Sequence, residues 1–318
     1  MHDSKISAGC ILFHCPQMQD LAKRVCAKNP RITLGNIVWQ RFPDGFPNIY
    51  IEKEHKIRRK NVAFLASFDE QGDIFEQLSA IWTLTRCGVQ LFKIVLPYYP
   101  TGTMERVDNE GQVATGMTLA RMLSATPLCG QGPAEIVTYD IHSLQLRGYF
   151  GDQVIPRLKT GTKYLKRQLK QLEDVSICFP DFGAKKRFGA MFADFPRIIC
   201  AKVREGEKRH VTIAEGNPRD RNVVIVDDSI QSGGTVIECK KVLDAAGSKT
   251  VSAYATHGRF PNESWRRFME AGFARVWTTD SCPKTAAVIA GRSPFQVISL
   301  DDSIARVLVD EDADSEKT

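Results

Sequence analysis

Residues 222–235 read NVVIVDDSIQSGGT, and the fold is decided here. Four branched apolar residues in succession, Val223 to Val226, predict a strand covered on both faces, the environment of a parallel sheet flanked by helices. Asp227 and Asp228 close that strand. Ser229, Ile230, Gln231, Ser232, Gly233, Gly234 and Thr235 then form a small-residue loop, and VIECKKVLDAAG after it has helical spacing with Thr235 placed to cap the helix. A strand, a Gly-rich loop and a helix in that order offer backbone N–H groups and the positive end of the helix to an anion. Two carboxylates would repel the anion but suit a pair of vicinal hydroxyls. The stretch reads as a site for a phosphorylated sugar.

Working outward, strand and helix patterns alternate from Asn36 onward, which predicts α/β layers on mostly parallel sheets. Strands are expected at 61–67, 91–99 and 135–141, with helices at 73–87 and 116–125 between them, giving a first doubly wound half. A second half follows, with a helix at 164–172 and strands at 175–181, 197–204, 222–228, 251–258, 275–281 and 295–300. The expected organisation is an N-terminal domain over 1–158, a C-terminal domain over 159–302 carrying the sugar-phosphate loop, and a short helix with an acidic tail over 303–318; the boundary is expected between Pro156 and Gly161.

Composition sets the bounds. The 318 residues are 43% hydrophobic and 25% charged, enough for two ordinary globular cores. The net charge of +6 is spread along the chain, which suits small anionic ligands rather than nucleic acid. HKIRRKN at 55–61 lacks interleaved aromatics and reads as a solvated hairpin end. Nine cysteines without a CxxC spacing predict reduced thiols and a cytoplasmic location, although a short organellar address read by a receptor is also compatible. Cys10, His14 and Cys15 have no second ligand pair for a metal and are expected in the core. No apolar run reaches the roughly 18 residues of a membrane span.

Four further segments carry chemistry. In FPDGFPNIYIE (42–52), Phe42 and Phe46 offer aromatic faces to a nucleobase, or else fill the core, while Asp44 and Gly45 signal a turn. In YDIHSLQLRGYF (139–150), Asp140 and His142 are spaced as alternate residues of a strand, which would point both to one side as a shell for Mg²⁺ bound to nucleotide phosphates. In FPDFGAKK (179–186), Asp181 closes a strand and could take a second Mg²⁺ position or a ribose hydroxyl, or cap the next helix. KVREGEKRH (202–210) reads as a basic arm between two strands. Lys202 and Arg204, two apart on an extended segment, would share one face, unless the arm is only a solvated hairpin tip.

VVIVDDSIQSGGT resembles the ribose-phosphate signature shared by phosphoribosyltransferases and ribose-phosphate diphosphokinases. FPDGFPNIYIE, LPYYPTGTMER (96–106) and YDIHSLQLRGYF resemble, in that order, three further segments of the diphosphokinases, and the resemblance runs from about Cys10 to about Val309. It implies two phosphoribosyltransferase-like domains and transfer of a diphosphoryl group from ATP to ribose 5-phosphate with Mg²⁺, in a homo-oligomer. It assigns ATP contact to Phe42, Asp44, Phe46, Arg106 and His142, metal contact to His142, Asp140 and Asp181, ribose 5-phosphate contact to residues 227–235, and catalysis to Lys202 and Arg204. Thr103 and Gln231 depart from the best-known class and match the plant-type, phosphate-independent class instead. Two rivals stay open at this point: a catalytically silent regulatory homologue on the same fold, and a phosphoribosyltransferase that consumes the proposed product.

Overall fold

The computed structural model describes residues 9–205 and 208–311, with the backbone alone at 204, 205, 208 and 209. The ends of the chain, including the expected acidic tail from 312 on, lie outside the described residues. Two compact units are present, one ending at Lys159 and resuming at Ser299, the other spanning Thr160–Ile298.

The strands of the first unit are β1 (Cys10–His14), β2 (Ile32–Leu34), β3 (Ile37–Arg41), β4 (Pro47–Ile51), β5 (Asn61–Leu65), β6 (Leu91–Val95), β7 (Ala134–Tyr139) and β8 (Val154–Lys159). Six of them form a parallel sheet in the order β2-β1-β5-β6-β7-β8, while β3 and β4 pair separately as an antiparallel hairpin. Helices α1 (Gln19–Lys28), α2 (Gln71–Arg86) and α3 (Thr115–Ser124) connect them. β1 and β2 lie ahead of the region where alternation was expected. Cys10 and Cys15 are buried, as the core reading of that segment predicts, while His14 is only partly buried. HKIRRKN forms a short turn after β4, exposed except for Ile57 and the partly buried Asn61.

In the second unit, β9 (Val175–Phe179), β10 (Arg197–Glu205), β11 (Lys208–Glu215), β12 (Asn222–Ile230), β13 (Thr250–Gly258), β14 (Val276–Thr279) and β15 (Phe295–Ile298) form one sheet in the order β11-β10-β9-β12-β13-β14-β15. Its pairs are parallel except β10 with β11. The helices are α4 (Thr162–Leu169), α5 (Phe182–Phe188), α6 (Gly234–Ala245), α7 (Arg266–Glu270) and α8 (Pro283–Ile289). β12 shows why its four apolar residues are needed. Val223 and Ile225 enter one core cluster with Leu243 of α6 and Phe268 of α7, while Val224 and Val226 enter the opposite cluster with Phe188 of α5 and Trp277. Period-2 alternation sends apolar side chains into both layers, so a polar residue at any of the four would be buried.

The last helix, α9 (Asp301–Leu308), belongs to the first unit. Lys93, in the middle of β6 and only 2% exposed, donates from Nζ to the carbonyl of Val307 at 2.7 Å, pairs with Asp310, and lies 3.7 Å from Glu135. Tyr139 Oη donates to Ser303 Oγ at 2.8 Å, and Lys28 of α1 lies 3.6 Å from Asp301. A buried ammonium is tolerated only where such acceptors surround it.

Candidate active site

In each unit the sheet order reverses once, between β1 and β5 in the first and between β9 and β12 in the second. Open α/β sheets place ligands outside the carboxyl ends of the strands at such a reversal. Asp181, just past β9, and Asp227 and Asp228, near the end of β12, lie at that point of the second unit.

Asp228 is buried and Asp227 partly so, and the backbone N–H of Asp228 donates to Asp227 Oδ1 at 2.9 Å. Burial, and then the charge of Asp228 with a smaller contribution from Asp181, hold the Asp227 carboxyl well above the usual carboxylate range. Carboxylates gathered this way favour a cation or hydroxyl donors beside them. Asp181 is exposed at the start of α5, where its Oδ1 accepts the N–H of Ala184 at 2.8 Å. The helix-cap alternative is thus present, and it occupies Oδ1.

The glycine-rich loop differs in detail from the expectation. β12 continues through Ser229 and Ile230, which pair with His257 and Gly258, and the Ile230 side chain sits in the core, 1% exposed. The loop proper is Gln231, Ser232 and Gly233. Thr235 does not cap α6; it lies inside the first turn, partly buried, and Gly233 takes the cap position at φ +77°. A β-carbon at Gly233 would stand 2.2 Å from the Phe268 ring, so both its backbone angle and its neighbour demand glycine. Arg267 donates to the Ser232 carbonyl at 2.8 Å and Ser264 Oγ to the Gln231 carbonyl at 3.2 Å. With those carbonyls tied to the α7 side, the first N–H groups of α6, which have no intrahelical acceptor, are left to an anion. No local signal in the sequence marks Ser264, Arg267 and Phe268 as supports of a loop some 35 residues earlier. Gly233→Ala is expected to cost at least about 1–3 kcal/mol of stability from the backbone angle alone, and to raise the KM for ribose 5-phosphate, measured by thermal melting and steady-state kinetics.

Within KVREGEKRH, residues 202–205 end β10 and residues 208–210 open β11, and the two strands pair antiparallel. Lys202 pairs with Val211 and Arg204 with Arg209. Cys200 and Lys202 alternate along β10, and Cys200 is buried in the cluster that contains Cys239 of α6, so this parity faces the layer of the α6 helix. Lys202 is exposed. The Arg204 side chain lies outside the described part.

In the first unit, Phe42 and Phe46 flank the tip of the β3–β4 hairpin and are 50% and 63% exposed, so neither fills the core. The N–H of Phe42 donates to the Phe46 carbonyl at 2.8 Å and the N–H of Phe46 to Asp44 Oδ1 at 3.1 Å, which makes Asp44 a turn-forming residue with Gly45 at φ +88°. Arg106 is exposed, 3.3 Å from Asp108, in the segment between β6 and α3. That segment passes His142, whose Cβ would lie 3.4 Å from a β-carbon at Gly102. Asp140 and His142 both lie past the strand whose period was to align them. β7 ends at Tyr139, and Asp140 turns to φ +32°, is fully buried, and donates its N–H to the Lys159 carbonyl at 2.8 Å, while His142 is exposed. The strand-period argument fails because the strand stops one residue too early.

Among the described residues no three His, Cys, Asp or Glu side chains cluster to hold a metal ion. Mg²⁺ needs no such cage when substrate phosphates supply most of its oxygens, and the crowded acidic charge around Asp227 fits a cation that arrives with them.

Comparison with known proteins agrees along most of the chain. The family model for the N-terminal domain of ribose phosphate pyrophosphokinase matches residues 10–126, and the phosphoribosyl transferase domain matches residues 150–267. Ribose-phosphate pyrophosphokinase 3, mitochondrial, of Spinacia oleracea is 53% identical over 307 residues, covering 93% of this chain and 76% of that protein. Ribose-phosphate pyrophosphokinase 4 of Arabidopsis thaliana is 50% identical over 306 residues, covering 93% and 91%. The fold superposes on a crystal structure of phosphoribosylpyrophosphate synthetase from Mycobacterium smegmatis with a TM-score of 0.80 at 22% identity, over 94% of this chain and 97% of that one.

Proposed function

The chain belongs to the ribose-phosphate pyrophosphokinase family, and from that premise we propose how its own residues carry the reaction. The enzyme transfers the β,γ-diphosphoryl group of ATP to the C1 hydroxyl of ribose 5-phosphate, giving 5-phosphoribosyl 1-diphosphate and AMP. The observation that carries the residue assignment is the pairing, at one sheet reversal, of a glycine-capped helix N-terminus with the Asp227 and Asp228 carboxylates.

The 5-phosphate takes the N–H groups of the loop from Ser229 to Thr235, with Ser232 and Thr235 adding hydroxyl donors; Ile230 contributes backbone only. Asp227 and Asp228 hold the ribose 2- and 3-hydroxyls, which fixes the C1 hydroxyl for in-line attack on the β-phosphorus. Lys202 and Arg204 stabilise negative charge as it shifts onto the transferring group. Phe42 and Phe46 present faces to the adenine, with Asp44 shaping their turn, and Arg106 and His142 meet the nucleotide phosphates. When bound, Mg²⁺ neutralises phosphoryl oxygens; His142 and Asp181 are the residues that would hold it. Asp140, buried and off the strand, is not assigned to it.

The chain spans about three quarters or more of each of these two plant relatives. Nine free thiols suit a reducing compartment, on which a cytoplasmic location is proposed; among the described residues no helix is long and apolar enough to cross a membrane. Exposed Tyr50, Phe75 and Trp82 on the first unit suit burial against a second copy, supporting a homo-oligomer. Thr103 and Gln231 place the enzyme with the phosphate-independent class. Initial rates with and without inorganic phosphate test this: similar turnover is expected in both, and turnover that requires phosphate would overturn the class assignment.

A further inference from the structure

The first unit has a sheet reversal of its own, and none of the residues assigned above occupies it. Beyond the carboxyl ends of β1 and β5 lies a cavity of about 470 Å³ bounded by Gln17, Trp39, Gln40, Arg41, Asp73 and Glu76. Its size suits a small heterocycle, and its place in the sheet is where this architecture binds ligands.

The chemistry differs from that at the second unit's reversal. There, α6 begins with glycines and offers open N–H groups. Here, α2 begins with its own carboxylates: the Glu70 side chain accepts from the backbone of Asp73, and Asp73 Oδ2 accepts the N–H of Glu70 at 3.1 Å. The helix N-terminus is already satisfied by acidic groups, and Asp73 and Glu76 in the wall disfavour a phosphate.

One acceptor in the wall is left over. Gln17 Nε2 donates to Asp73 Oδ1 at 3.1 Å, which fixes the amide, and Gln17 Oε1 is then buried without a hydrogen-bond partner among the described residues. Behind it Gln77, 2% exposed, is locked by the Ser67 backbone, accepting its N–H at 3.0 Å and donating to its carbonyl at 2.6 Å. Arg41 is engaged by Glu76 and by the Gly45 carbonyl. Trp39, held edge-on against Phe64 at 6.2 Å, supplies an aromatic wall. Rigid amides beside an aromatic ring, with an acceptor left over and carboxylates in the wall, match a flat heterocycle bearing an amino group.

We propose that this cavity is a second small-molecule site, selective for an adenine-type aminopurine as the free base or the unphosphorylated nucleoside, with the exocyclic amine donating to Gln17 Oε1 and the ring against Trp39.

Calorimetric titration of the full chain with adenine, adenosine and AMP tests it, using wild type, Gln17→Leu, Trp39→Leu and Phe46→Ala. The expected result is saturable binding of adenine or adenosine by wild type, weakened about tenfold or more by Gln17→Leu, weakened likewise by Trp39→Leu, and retained in Phe46→Ala; AMP binds this site at least about tenfold more weakly. Which of adenine and adenosine binds identifies the source of the ring. Gln17 lies outside the core, so its variant remains informative if Trp39→Leu fails to fold. No saturable binding to wild type would overturn the proposal, as would equal affinity in Gln17→Leu, loss in Phe46→Ala, which would place the ligand at the nucleotide hairpin, or AMP binding as tightly with the same Gln17 dependence.

Discussion

Replacing Lys202 by Ala is expected to lower turnover by about 10²- to 10³-fold while changing ribose 5-phosphate affinity only a few-fold. The reason lies in where the residue sits. Lys202 is on the exposed part of the β10–β11 hairpin and shares the parity of Cys200, facing the α6 layer. In the proposed assignment the loop before α6 holds the phosphate of the sugar, so the ammonium would not anchor the ground state. Its charge matters when negative charge moves onto the transferring oxygens. Rapid-mix kinetics together with equilibrium binding of ribose 5-phosphate would check this, and equal losses in both would mean that the hairpin only binds substrate.

Asp227→Asn is expected to abolish most activity while raising stability at neutral and alkaline pH. Burial and the Asp228 charge raise the Asp227 carboxyl well above the ordinary carboxylate range in the folded protein. The folded state therefore binds this proton more tightly than the unfolded chain does. Its stabilising effect is fully present below the unfolded carboxylate range and is lost as pH rises through the raised folded value. Asn carries no ionisation to lose. Melting temperatures measured across pH should show the variant above wild type at alkaline pH, with the gap closing in acid. Turnover should fall about a hundredfold or more, since a buried group shaped for a substrate hydroxyl is left mismatched. A variant less stable than wild type at every pH would contradict the electrostatic account.

Much of the second unit was legible because its signals are local. Val223 to Val226 declared a strand covered on both faces, and the two core clusters divide them as the period requires. The glycines after Asp228 declared a turn into a helix. What could not be read was set by partners distant in sequence. Thr235 is a better cap than Gly233 by local preference, yet Phe268 leaves no space for a β-carbon at 233, and that contact comes from α7. Asp140 and His142 carry strand spacing, but the chain turns at Asp140. α9 looked like an appendage; its place in the first unit depends on Lys93 in β6, more than 200 residues earlier. The Trp39 cavity likewise draws its walls from the turn after β1, the hairpin and α2, segments that carry no shared motif.

Diphosphoryl transfer to ribose 5-phosphate by this protein can be followed in one assay. Formation of AMP and 5-phosphoribosyl 1-diphosphate would be followed from ATP, Mg²⁺ and ribose 5-phosphate, with no nucleobase added. The account predicts stoichiometric appearance of both products, dependent on ribose 5-phosphate and lost in Lys202→Ala. Nucleotide binding without either product would contradict it.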